Sequence, residues 1–108
     1  MDNWLTICKS EDIAPNTGVC AKVGDNQVAI FLSSRTNSVH AITNFDPFGK
    51  ANVLSRGIIG TINDRLCVAS PLYKQHFDLH TGECLEQPEI QLHTYQVRIN
   101  QGSIEIKQ

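Results

Sequence analysis

No basic run, no long apolar run and no closely spaced cysteine pair occurs in this sequence. Its nine Lys and Arg, set against eleven Asp and Glu, are scattered singly from Lys9 to Lys107. The linear sequence therefore offers no basic stripe of the kind a phosphate backbone requires. Aromatic residues make up only 6% and have no basic cluster beside them, which argues against a stacking platform for single-stranded nucleic acid. The longest apolar stretch, Val28 to Leu32, is far too short to cross a membrane. The opening residues Met1-Asp2-Asn3-Trp4 have neither the positive charge nor the following apolar run of a signal peptide, so a cytoplasmic location is expected. In that reducing compartment Cys8, Cys20, Cys67 and Cys84 are expected to be free thiols, several of them buried as small hydrophobes.

Catalytic signatures are equally scarce. There is no C-x-x-C, C-x-H, H-E-x-x-H or G-x-S-x-G, and no glycine-rich phosphate loop; the seven glycines are dispersed at turns. No catalytic residue is expected on this chain. The nearest approach to a metal motif is His76-x-Asp78-x-His80. On a strand these three side chains would share one face, with Phe77 and Leu79 on the other. An exposed polar face opposite two core residues explains the pattern as well as a metal site does. His40 and His93 are isolated.

What is present is a series of short β-type runs separated by turns. A hydrophobic content of 41% and a charged content of 19% over 108 residues fit one globular domain, residues 1–108, with one core. Strands are expected over Trp4–Cys8, Gly18–Val23, Gln27–Leu32, Val39–Thr43, Ile58–Ile62, Leu66–Ala69 and Gln75–Leu79. Gly24-Asp25-Asn26, Asn63-Asp64-Arg65 and His80-Thr81-Gly82-Glu83 supply turns, and Ser10 to Ile13 offers at most one helical turn before Pro15. The clearest pattern is at the end, where Tyr95, Val97 and Ile99 alternate with polar residues. Asn100-Gln101-Gly102 then turns the chain, and Ile104 and Ile106 alternate on the return. The expected fold is all-β, an antiparallel sandwich or small barrel.

Two irregular segments interrupt the strands. One is Asn44-Phe45-Asp46-Pro47-Phe48-Gly49, leading into Val53-Leu54-Ser55-Arg56-Gly57; the other is Ala69-Ser70-Pro71-Leu72-Tyr73-Lys74. Each follows a strand, contains a proline and places large apolar side chains where a plain turn would be polar. They form either a minor core of two mutually packed loops or a binding tip.

At these segments the sequence resembles the Rieske family, which holds a [2Fe–2S] cluster between a C-x-H loop and a C-x-x-H loop. Phe77-Asp78-Leu79-His80-Thr81-Gly82-Glu83 resembles the F-D-L-x-T-G-E strand and turn that commonly follows the second loop. Counting back, Ser70-Pro71-Leu72-Tyr73 falls on C-P-x-H, and Asn44-Phe45-Asp46 falls on C-x-H. The four ligand positions would thus be Asn44, Asp46, Ser70 and Tyr73, which offer oxygen donors and an amide where the cluster needs thiolates and imidazoles. Cys67 and Cys84 do not sit where they could substitute. The resemblance therefore implies a Rieske-like domain without its cluster.

Within that family the chain is similar to the small-subunit branch of bacterial NADH-dependent nitrite reductase. The similarity lies in Gly18-Val19-Cys20-Ala21, Gly24-Asp25 with Gln27 to Phe31, Asp46-Pro47-Phe48, Val53 to Gly57 and Val68 to Leu72, in that order. It implies a non-redox accessory subunit in nitrate and nitrite assimilation. Its partner would be a large subunit carrying FAD, an iron–sulfur cluster and sirohaem, which reduces nitrite to ammonium with NAD(P)H. Phe45, Phe48, Leu72 and Tyr73 are the candidate partner-binding anchors, with internal filling of the cluster's space as their other reading. The stretch from Gln75 to Val97 holds Asp78, Glu83, Glu86 and Glu89 and no Lys or Arg, which suits either a solvated loop or a surface for a basic partner. Two other classes remain open: a stand-alone cluster-less binding or regulatory module, and a mononuclear metal protein using Asp46 or His76, Asp78 and His80.

Overall fold

The computed structural model describes residues 3–72 and 74–107. Among these there is no α-helix, and all the strand pairs are antiparallel. The strands are β1 (Trp4–Lys9), β2 (Thr17–Val23), β3 (Asn26–Ser33), β4 (Ser38–Thr43), β5 (Phe45–Asp46), β6 (Ala51–Asn52), β7 (Ile58–Ile62), β8 (Arg65–Ala69), β9 (His76–Asp78), β10 (Thr94–Tyr95), β11 (Val97–Asn100) and β12 (Ser103–Lys107). They form sheets of order β1-β12-β11, β10-β4-β3-β2 and β7-β8-β9, with β5-β6 as a short ribbon. None of these sheets closes on itself, so the fold is layered rather than a closed barrel. Single 3₁₀ turns occur at Ser10–Asp12, just before Pro15, and at Leu54–Arg56.

The order of the layers follows from β3. Its Val-Ala-Ile-Phe run is buried on both faces, as an unbroken apolar strand must be. Val28 and Ile30 face Ile104 and Ile106 of β12, with Ile13 and Ala41 completing that core. Ala29 and Phe31 face Leu66 and Val68 of β8 and Phe77 of β9, together with Leu54, Leu79 and Leu92. One strand thus supplies both cores, and the four-stranded sheet is the middle layer. Burying each large apolar side chain is worth roughly 1.5–3 kcal/mol, so this strand anchors both sides at once.

Turn chemistry sets the hairpins. Asn63 and Asp64 both adopt positive φ, at 51° and 64°, giving the two-residue turn that matches strand twist. Arg65 therefore belongs to β8 and not, as expected, to the turn. It donates from Nε to Asp78 at 2.8 Å and from Nη2 to Glu83 at 2.6 Å.

That pairing corrects one expectation. Period two on β9 predicts an exposed Asp78, yet Asp78 is buried along with Phe77 and Leu79. Its carboxylate accepts from Arg65 and from the backbone N–H groups of His80 and Thr81, closing the turn. Burial opposes its charge, but these donors outweigh burial and hold the carboxyl below its ordinary range.

His40 on β4 is buried, with Nε2 2.7 Å from the Ser38 hydroxyl and its ring edge-to-face against His80 at 4.6 Å. Burial first, and then neighbouring His80, push its pKa down from 6.5 to about 4 despite the opposing pull of Asp78. The unfolded chain then binds the proton more readily than the folded one. Stability from His40 is fully present above about pH 6.5 and is lost as the pH falls toward 4. Urea midpoints measured across that window should decline with acidity, and a His40→Gln variant should show a shallower decline.

Candidate functional site

The two irregular segments meet at one end of the middle layer. Asn44 leaves β4 and is tied to the start of β3, its backbone N–H donating to Gln27 O at 2.9 Å. Its side chain is buried and fully engaged. Nδ2 donates to Gln27 Oε1 at 3.2 Å and to Cys20 Sγ at 3.4 Å, while Oδ1 accepts from the Ser55 N–H at 2.7 Å. Gly18 of β2 admits this loop: a Cβ there would come within 2.7 Å of Ser55 O and 2.5 Å of the Phe31 ring.

Asp46 is 0% exposed. Its Oδ1 accepts from the N–H groups of Phe48 at 2.9 Å and Gly49 at 3.2 Å, and its Oδ2 accepts the hydroxyl of Ser70 from the second loop. Ser70 is also buried, and its Oγ accepts from the Leu72 N–H at 3.2 Å. The two loops are thereby joined through a single carboxylate–hydroxyl bond. Gly49 lies under Leu72, and a Cβ on it would approach Leu72 Cδ1 to 2.3 Å.

Among the apolar anchors, Phe45 is 41% exposed and Leu72 47% exposed. Phe48 is partly buried, its ring 6.2 Å from that of Phe77 and packed against the core. Tyr73 lies outside the described residues. Ile58, which the sequence reading passed over as an ordinary strand residue, is 78% exposed and pairs with Ala69 immediately before Ser70.

The alternative metal residues are engaged elsewhere. His76 Nδ1 is 2.6 Å from Glu86, Asp78 holds Arg65, and His80 abuts His40. Among the described residues no group of three or more His, Cys, Asp or Glu is placed to hold a metal ion. The four cysteines are free, with Cys67 and Cys84 buried and Cys20 exposed. Burial pushes the Cys67 thiol up to about 11. No helix among the described residues is long and apolar enough to cross a membrane.

Comparison with known proteins matches residues 3–107 to the Rieske-like [2Fe-2S] domain family. The chain is 46% identical over 107 residues to the NADH nitrite reductase small subunit of Escherichia coli strain K12, covering 99% of each. It is 45% identical to the E. coli protein NirD, whose NMR structure it matches with a TM-score of 0.91, over 100% of this chain and 98% of that one. The chain belongs to the NADH nitrite reductase small-subunit family. A further relative is the nitrite reductase [NAD(P)H] large subunit of Klebsiella oxytoca, 34% identical over 101 residues, which are 94% of this chain and 10% of that protein.

In this member of the small-subunit family, sequence reasoning selected Asn44, Asp46 and Ser70 but missed Gln27, Cys20 and Ser55, which satisfy Asn44. The advance signal was that Gly18 to Cys20, Gln27 and Ser55 all lay within the segments of family similarity. Removing Asp46 would strand two backbone donors and the Ser70 hydroxyl. Asp46→Ala should therefore cost about 3 kcal/mol in urea unfolding, and Ser70→Ala about 1 kcal/mol. A double-mutant cycle should show the two to be non-additive, because they share one bond.

Proposed function

We propose that this chain is the non-redox small subunit of an NADH-dependent nitrite reductase, and that it docks on the large subunit through the two-loop tip. The observation that supports it best is the large-subunit relative, in which a segment matching nearly all of this chain is part of the same polypeptide. A domain that works covalently joined to a large subunit in one protein works bound to it in another. In this reading the large subunit carries the flavin, iron–sulfur and sirohaem chemistry, and the complex acts in the cytoplasm in nitrite assimilation.

A [2Fe–2S] cluster does not fit the residues of the tip. The family's ligand positions fall on Asn44, Asp46, Ser70 and Tyr73, which provide no thiolate and no imidazole. The donors of the first three are already committed: Asn44 to Gln27 and Ser55, and Asp46 to Ser70 and its own loop. We therefore derive no electron transfer through this chain. Its contribution is a contact surface, with Phe45 and Leu72 as the anchors, since half-exposed apolar side chains on a rigid tip gain most from burial at an interface.

Two purified components test this. The isolated chain should be colourless and free of stoichiometric iron, and it should bind the purified large subunit with a measurable Kd. Phe45→Ala combined with Leu72→Ala should weaken that binding at least about tenfold, worth ~1.4 kcal/mol, with little change in Tm. Binding as tight as that of the unaltered chain would remove the tip from the interface. No binding by the unaltered chain would instead favour a stand-alone module.

A further inference from the structure

The two loops are built alike. Asp46-Pro47-Phe48-Gly49-Lys50 and Ser70-Pro71-Leu72-Tyr73-Lys74 share a polar residue, a proline, two intervening positions and a lysine. In each, the lysine adopts left-handed backbone, with φ of 54° at Lys50 and 64° at Lys74. In each, its N–H returns to the carbonyl of the first residue, Lys50 to Asp46 at 2.7 Å and Lys74 to Ser70 at 3.1 Å. Because Asp46 and Ser70 are bonded to each other, the two exposed lysines are brought to the same tip from loops 24 residues apart in sequence.

Arg56 follows Ser55, which is bound to Asn44, and is also exposed. The only carboxylate in the two loops is that of Asp46, buried and turned toward Ser70 and its own backbone. The β2–β3 hairpin, whose Cys20 and Gln27 bond Asn44, carries one cation and one anion, Lys22 and Asp25. Among the described residues, the ion pairs of the molecule involve Arg65, His76 and Arg98, and none of the three tip cations. A chain of formal net charge −2 thus carries three exposed cations, Lys50, Arg56 and Lys74, on the two loops of its candidate docking end. Within the acidic stretch, Asp78 and Glu83 share Arg65, Glu86 is held by His76, which carries charge only when protonated, and Glu89 is in none of these pairs.

We propose that the tip recognises an acidic rim around an apolar pocket on the large subunit, with Lys50 and Lys74 steering approach and Phe45 and Leu72 seating in the pocket. This rests on the docking reading above and names the chemistry of its partner surface. Long-range attraction between opposite charges acts mainly on the rate of association, and buried apolar anchors act mainly on dissociation.

Association of the purified chain with the purified large subunit, followed by surface plasmon resonance at about 50 and about 500 mM NaCl, separates these roles. The K50E/K74E chain should associate at least about tenfold more slowly at low salt, and the difference should shrink at high salt. F45A/L72A should mainly speed dissociation. R35E, in the turn joining β3 to β4 at the far end of the middle sheet from Asn44, should behave as the unaltered chain does. Equal Tm values would show that all variants fold. If K50E/K74E associates normally while F45A/L72A still weakens binding, the acidic-rim inference falls and docking stands. If neither variant matters, both fall. If R35E slows association as much as K50E/K74E, overall charge and not the tip is responsible, and the inference is overturned.

Discussion

The bond from the Ser70 hydroxyl to the Asp46 carboxylate holds together two loops that strand pairing does not join. A carboxylate with no solvent exposure is tolerated only where donors replace the water it has lost. Here Phe48 N–H, Gly49 N–H and the Ser70 hydroxyl do so, and in answering that demand they give the tip its shape. Leu72 is set over Gly49, Phe48 is turned to the core, and both lysines are carried to one end. In a cluster-bearing Rieske protein metal–ligand bonds would join the same two loops. In the reading proposed above, hydrogen bonds donated to the Asp46 carboxylate take over that structural task without the redox chemistry.

The tip is held in place by a layered body. β3 is apolar on both faces and supplies residues to both cores. Asn44 is tied to this body through Gln27 at the start of β3 and Cys20 on β2. In the docking reading proposed above, a surface held in place before binding has less freedom to lose on binding.

Charge is arranged to the same end. Asp78 and Glu83 after the second loop fold back onto Arg65 and Glu86 onto His76, and Asp78 also closes its turn. Three of the nine cations, Lys50, Arg56 and Lys74, lie on the two loops. In the reading proposed above, an asymmetry of charge at the tip governs encounter more than it governs stability.

The hydrophobic periodicities were enough to place nearly every long strand, because alternation on a half-buried hairpin and an unbroken apolar run on a doubly buried strand are local signals. The likeness of Phe77 to Glu83 to the F-D-L-x-T-G-E segment pointed to the Rieske family, with Ser70 and Asp46 placed by counting back, and residues 3–107 match that family. Local pattern did not reveal that Asp78 is buried, since its burial depends on Arg65, 13 residues away, to satisfy its charge. Nor did it separate Phe45 from Phe48, one exposed and the other against Phe77, because the direction of a loop side chain is set by what the opposite loop leaves open. The sequence by itself determined the strands, the family and the oxygen chemistry of the loop positions. Which of those residues bond across the loops, and which charges share a surface, only the tertiary structure decided, because both depend on distances between segments that the sequence keeps apart.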